Sequence, residues 1–100
     1  MKYSARLRRG MAYWKPVRGC YFSRSGLSAC VIGSMVSPRR YVQCNAAAKR
    51  IHKKLGNMIP IQTFPARWEC LSLSSQIVQA FEIHGWTRKR IADALEKAGL

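Results

Sequence analysis

The feature that most constrains this chain is the absence of carboxylates from its first 68 residues. Fourteen of the 18 Lys and Arg residues lie in that segment, which therefore carries a formal charge of +14, while residues 69–100 are neutral. Cations crowded together without internal counter-charges repel one another and oppose compaction. We therefore expect most of the counter-charge to come from outside the chain. The only acids are Glu69, Glu82, Asp93 and Glu96.

Nucleic acid is the commonest polyanion that relieves such a charge. Eleven of the 18 cations are Arg, whose planar guanidinium grips phosphate bidentately and stacks on bases. The cations are spread over several segments, which favours RNA within a ribonucleoprotein, such as a ribosome-associated subunit, over DNA. The alternatives are a protein-interaction module or small phage- or plasmid-like regulator that docks on an acidic protein, a membrane surface, and a solvated basic surface that only maintains solubility.

Length and composition limit the other classes of function. A chain of 100 residues that is 48% hydrophobic predicts one small domain. Its apolar runs fall far short of the ~20 residues that a transmembrane helix needs. Four acids are too few for an obvious catalytic carboxylate pair, and His52 lies among cations that disfavour a charged general base. We therefore predict a protein that is not an enzyme.

The cysteines and histidines predict neither a metal site nor a cofactor. Cys20, Cys30, Cys44 and Cys70 form no close pair of the kind that zinc sites use, and no histidine lies at a matching spacing. The simpler interpretation is four small buried residues in a reducing compartment, which indicates the cytoplasm. Residues 1–40 are rich in Ser and cations without acids, so a mitochondrial or other organelle matrix is the alternative.

The fold class predicted for the chain is α+β, with an antiparallel β-rich N-terminal part. Residues 1–10 predict a basic arm, either extended or a short helical turn. Residues 11–68 predict a basic part that opens with two to four short strands over 11–42, because aromatic and β-branched runs alternate there with Pro and Gly turns. Helix in part of 27–36 is the alternative. Residues 69–100 predict a neutral helical hairpin.

A basic amphipathic helix is predicted over residues 44–55. An apolar stripe recurs there at helical spacing, and the cations fall on the opposite side in neighbouring pairs one turn apart. One interpretation is a solvated helix face, and the functional one is a helix laid along a phosphate backbone. The stripe is Cys44, Ala47, Ala48, Ile51 and Leu55, and the cations are Lys49, Arg50, Lys53 and Lys54.

The hairpin is predicted from residues 72–84 and 88–98, with Gly85 between them and Thr87 as an N-cap. Three cations in the first turn of the second helix oppose its dipole and predict an anion site, unless nearby acids pair with them. The string GWTRKRIADALEKAGL resembles the opening helices of helix-turn-helix domains. The sequence ends where a recognition helix would follow, so we expect the helices to dock on a partner or another segment to read the nucleic acid.

The predicted nucleic-acid contacts are cations of every basic segment. Aromatic rings interleave with these cations, and such rings either stack unpaired bases or fill the core. The predicted stacking residues are Tyr13, Trp14 and Tyr21. The predicted phosphate contacts are Arg6, Arg8, Arg9, Lys15, Arg18, Arg24, Arg39, Arg40, Lys49, Arg50, Lys53, Lys54, Arg88, Lys89 and Arg90.

Overall fold

Helices make up most of the fold in the computed structural model, which describes residues 1–100. The content is 55% helix and 5% strand, and the only sheet is one parallel pair of two-residue strands. The prediction of an α+β fold with an antiparallel β-rich N-terminal part is therefore wrong. The elements are α1 (Tyr3–Tyr13), β1 (Lys15–Pro16), β2 (Ser28–Ala29), α2 (Val31–Ser34), α3 (Tyr41–Gly56), a 3₁₀ turn (Ala66–Trp68), α4 (Leu73–Val78), a π-helical turn that continues it (Gln79–Ile83), and α5 (Arg88–Lys97).

The segment predicted as a basic arm and a first strand is the helix α1. It continues through Gly10, where a Cβ atom would lie only 1.6 Å from the carbonyl oxygen of Ser34 in α2. The glycine thus allows two helices to pack backbone to backbone, and it does not end α1. Leu7 of the predicted arm is fully buried.

The remaining predicted strands are mostly absent from the structure. Residues 29–36 are buried without interruption and contain α2. A short continuous apolar run does not distinguish a buried strand from a buried helix, so periodicity could not decide between them. The last predicted strand, around Tyr41, is instead the beginning of α3.

The helix predicted over residues 44–55 is confirmed as α3, which is 16 residues long. Four residues of its predicted apolar stripe are buried, and Ala47 is half-buried. Lys53 and Lys54 lie in the last turn, where cations complement the negative end of the helix dipole. The buried residues are Cys44, Ala48, Ile51 and Leu55.

Helices are also present in both segments predicted for the C-terminal hairpin. The Ser72 hydroxyl caps α4, and the Thr87 hydroxyl caps α5 by accepting from the Arg90 amide at 3.1 Å. Between them, Gly85 adopts a positive φ of 68°, which glycine allows without strain. The main neighbour of α5 is α1 rather than the helix before it.

A single cluster of 23 buried hydrophobic residues forms the core. The long connection between α3 and α4 is held to it by Gln76, which is fully buried. Its side chain accepts from the Ile61 amide at 3.0 Å and donates to the carbonyl oxygens of Ile61 and Trp68. No helix has both the length and the hydropathy required to cross a bilayer.

Candidate nucleic-acid interface

Very few of the cations are neutralised within the protein. Only Arg8 and Lys89, among 18 cations, have a carboxylate oxygen within 4.0 Å. Arg8 in α1 binds Asp93 and Glu96 in α5, and its hydrogen bond holds the pKa of Asp93 below the ordinary value. Two of the four acids therefore contact a single cation, and most of the positive charge has no carboxylate partner within the protein.

The outer side of α3 is uniformly basic. Its cations are all exposed, because the apolar stripe of the same helix faces the core. They occupy two adjacent pairs one turn apart, so each charge has another within a helical turn. No acid lies in the first turn of α3 to offset them. We call Lys49, Arg50, Lys53 and Lys54 the α3 basic face.

A second group of cations meets around a small cleft between α1 and α3. Arg6 and Arg9 of α1 line it together with Arg39 of the segment that precedes α3. The cleft has a volume of about 250 Å³, and no acidic residue lines it. Arg9 donates from Nη2 to the Ser37 hydroxyl at 3.0 Å, which fixes its position. We call this the arginine cleft; its apolar lining includes Met35, Val36, Ala47 and Ile51.

The arginine cleft and the α3 basic face adjoin one another. Ala47 and Ile51 form the wall that α3 contributes to the cleft. Arg50 and Lys54 follow these two residues by three positions each, and residues at that spacing are neighbours on a helix surface. Together the two groups form one carboxylate-free surface with seven cations, which we call the basic surface.

Several of the predicted phosphate contacts have a partner within the protein. Besides Arg8, Arg18 donates from Nε to the Phe81 carbonyl at 3.0 Å and lies 4.5 Å from the centroid of that ring. Arg88 donates to the Ser34 hydroxyl at 3.0 Å, and burial lowers its pKa. Lys15, Arg24 and Arg40 are exposed but do not line the arginine cleft.

The predicted anion site in the first turn of α5 also has internal partners. Lys89 lies 3.8 Å from Asp93, one turn further along the helix. The Arg90 guanidinium lies 3.6 Å from the ring centroid of Trp86, a cation–π distance. With Arg88 bound to Ser34, each of the three cations has a contact within the chain. This turn is therefore less available to a phosphate than the basic surface.

The rings predicted to stack on bases differ in exposure. Trp14 is buried in the core, with Nε1 donating to the Val36 carbonyl at 3.1 Å. Tyr21 is half-buried and hydrogen-bonded to His52, and Tyr13 is 59% exposed but packs edge-on against Trp14. Tyr41 also interleaves with the cations, but the stacking prediction placed it behind these three rings; it is 54% exposed and follows Arg39 and Arg40 directly. That adjacency to two arginines was the signal for it.

The opposite edge of α3 borders an apolar cavity of about 510 Å³. His52 of α3 lines it and lies 2.7 Å from the Tyr21 hydroxyl through Nδ1. Burial raises the pKa of both Tyr21 and Cys30, so these groups are uncharged at neutral pH. Glu82 is the only acidic residue of the lining, and its carboxylate accepts from the Gly19 amide at 3.1 Å. This cavity contrasts with the basic surface, because no Lys or Arg lines it.

The structure shows neither a metal centre nor a disulfide. No group of three or more His, Cys, Asp or Glu side chains is placed to hold a metal ion. All four cysteines are free; Cys30 and Cys44 are buried as predicted, whereas Cys20 and Cys70 are exposed.

Neither a protein-family model, nor a curated protein, nor a solved structure gives a match to this chain. Its function is therefore inferred from the geometry of its own residues.

Proposed function

We propose that this protein binds nucleic acid through the basic surface, mainly by phosphate contacts, and that its ligand is RNA rather than DNA. The observation that carries the proposal is the continuity of seven cations over α1, the segment before α3, and α3, without a carboxylate among them. Each phosphate neutralised by such a surface releases counterions, which is the main source of affinity for nucleic acid.

The shape of the surface supports RNA. Reading of the DNA major groove generally places one recognition helix against base edges. Here the cations come from three segments, and α5, the helix of the helix-turn-helix resemblance, uses its basic first turn for internal contacts. Structured RNA is recognised largely by its shape and backbone, which a surface of several elements suits.

Tyr41 adds a ring for an unpaired base two positions along the chain from Arg39 of the arginine cleft. It lies at the N-terminus of α3, next to Arg39 and Arg40, and more than half of it is exposed. Stacking on such a ring contributes about 1–3 kcal/mol per base in single-stranded complexes. We expect Tyr41→Ala to weaken binding to single-stranded RNA and to leave binding to duplex DNA unchanged.

The test measures binding of structured RNA, single-stranded RNA and duplex DNA by fluorescence anisotropy over a series of salt concentrations. The variant that replaces all four residues of the α3 basic face by Gln should bind more weakly. Its plot of log affinity against log salt should flatten by about 0.7–0.9 for each phosphate that the variant no longer neutralises. Gln favours helix, so α3 should remain folded.

A matched control loses the same charge from positions outside the basic surface. Lys15, Arg24, Arg67 and Lys97 are exposed and line neither the arginine cleft nor the α3 basic face. Their replacement by Gln should change the salt slope much less. If both variants lost the same affinity, binding would depend on the total charge of the protein and not on the basic surface. If no nucleic acid binds and an acidic protein co-purifies after nuclease treatment, the protein is an interaction module.

A further inference from the structure

We infer that the arginine cleft holds a terminal phosphomonoester of the bound nucleic acid, so that the protein prefers a phosphorylated end to an internal phosphate. This inference rests on the proposed function and adds a ligand to one part of the basic surface. The juxtaposition that carries it is Arg6, Arg9 and Arg39 around one small cleft without a carboxylate.

The charge of the cleft matches a monoester better than a diester. A phosphomonoester carries a charge of about −1.5 to −2 at pH 7 and presents three strong acceptor oxygens. An internal phosphodiester carries a single negative charge and has a nucleoside on either side. Three guanidiniums, each with a fork of donors, supply more charge and more hydrogen bonds than one diester can use.

The volume of the cleft also favours the phosphorylated end of a nucleic acid over an internal phosphate. Pockets for drug-sized ligands occupy about 300–1,000 Å³. The arginine cleft, with about 250 Å³, is smaller and accommodates a phosphate with part of one nucleotide. α1 and α3 bound it on two sides, and Met35 and Val36 of its lining are almost fully buried, so the accessible surface of the cleft is mainly polar.

One of the three arginines is already held in position. The hydrogen bond from Arg9 to Ser37 joins α1 to the segment that carries Arg39. A preorganised donor loses less conformational entropy when the ligand binds. The α3 basic face lacks such a contact, because its four cations make no side-chain hydrogen bond or ion pair and extend into solvent. The α3 basic face is therefore suited to successive internal phosphates, and the cleft to a terminal one.

The experiment compares three short single-stranded RNAs of one sequence, with a 5′-phosphate, with a 3′-phosphate, or with hydroxyls at both ends. They compete against a labelled RNA in anisotropy measurements on the full chain. One phosphorylated RNA should bind about tenfold more tightly than the unphosphorylated one, which is the value of one charge-assisted hydrogen bond. The preference should shrink below pH 6, where the monoester loses its second charge.

Arg9→Gln and Arg39→Gln should each reduce this preference while retaining salt-dependent binding of the unphosphorylated RNA. Arg67→Gln, at an exposed arginine outside the cleft and outside the predicted phosphate contacts, is the matched control and should keep the preference. Thermal unfolding of each variant shows whether it folds, and two separate variants guard against an effect of the Arg9–Ser37 hydrogen bond alone.

Equal affinity for the three RNAs, with binding that still weakens in salt, would overturn the inference and leave the proposed function standing. If none of the RNAs bound, both the terminal-phosphate inference and the proposed function would be overturned. A nucleoside monophosphate that competes as well as the phosphorylated RNA would assign the cleft to free nucleotides and would overturn the terminal phosphate of a nucleic acid as its ligand.

Discussion

Arg8 and Asp93, which are 85 positions apart in sequence, form a hydrogen-bonded ion pair of 2.7 Å that joins α1 to α5. The same guanidinium nitrogen lies 3.0 Å from Glu96. In a chain with an excess of positive charge, two of the four acids are thus used to hold the first helix against the last. The pair couples the docking of α5 to the ionisation of one carboxyl group.

This pair should make the stability of the folded protein depend on pH in a defined direction. The Arg8 hydrogen bond lowers the pKa of Asp93 in the folded protein, so the carboxylate stabilises the fold above its unfolded pKa of about 3.9. That contribution is lost as the pH falls through the lower folded pKa. We expect Asp93→Asn to reduce the melting temperature at pH 7, and the difference from the parent protein to shrink as the pH falls below the unfolded pKa of about 3.9. Circular dichroism melts measure it.

Glu69 provides the control for this prediction, because it is exposed and forms no ion pair. Glu69→Gln should leave the melting temperature nearly unchanged between pH 7 and pH 2 relative to the parent. A deficit in Asp93→Asn that is as large in acid as at neutral pH would show that the pair does not hold α5.

Gly10→Ala should destabilise the protein although alanine usually strengthens a helix by up to about 1 kcal/mol. The new Cβ would meet the Ser34 carbonyl at 1.6 Å, so α1 must move away from α2. Overpacking of this kind costs about 1–3 kcal/mol. Gly56→Ala is the matched change in a helix, since its Cβ would lie 3.4 Å from the Ser74 hydroxyl. Urea unfolding should show a loss only for Gly10→Ala, and equal effects would contradict the close packing.

The sequence was sufficient to predict the helices that its periodicity and caps define. The regular stripe of α3, Ser72 before α4 and Thr87 before α5 are local signals, and the structure has helices at all three places. The N-terminal part lacked such signals. Gly10 and Gly33 look like helix or strand breakers in sequence, but each lies against a backbone carbonyl of another segment, and only the tertiary fold reveals that contact.

The candidate site was predictable to a similar degree. The α3 basic face follows from helical spacing alone, and its four residues are exposed. The arginine cleft could not be predicted from helical spacing, because Arg39 lies near Arg6 and Arg9 only through the packing of α1 on the later segments. Sequence could not separate the internally bound arginines either. Arg18 donates to a main-chain carbonyl and Arg88 to a hydroxyl, and neither partner carries a charge that a pattern of residues would show.

Gln76→Leu should loosen the connection between α3 and α4. Leucine has a similar size, but it removes the three hydrogen bonds with Ile61 and Trp68 and leaves the Ile61 amide without its partner. An unsatisfied group of this kind costs about 1–3 kcal/mol. Urea unfolding measures the loss, and limited proteolysis should cleave residues 57–71 faster. Gln62→Leu, at an exposed position, should change neither, and unchanged protection in Gln76→Leu would contradict the role of the glutamine.

The four thiols should fall into two classes of reactivity. Cys20 and Cys70 are exposed, whereas Cys30 and Cys44 are buried. Burial also raises the pKa of Cys30, which lowers the fraction of reactive thiolate. With a chromogenic disulfide reagent under native conditions, we expect two thiols to react quickly and two slowly. In denatured protein all four should react at one rate, and four equally fast thiols in the native protein would contradict the burial.

The contact between Gly10 and Ser34 has a consequence for the cations on either side of it. α1 can approach α2 this closely only because Gly10 has no side chain. The contact therefore fixes the distance between α1 and the segment that follows α2. Arg6 and Arg9 belong to α1, and Arg39 is anchored in that following segment. The spacing between these guanidiniums, and with it the size of anion they can share, is governed by a residue with neither charge nor side chain.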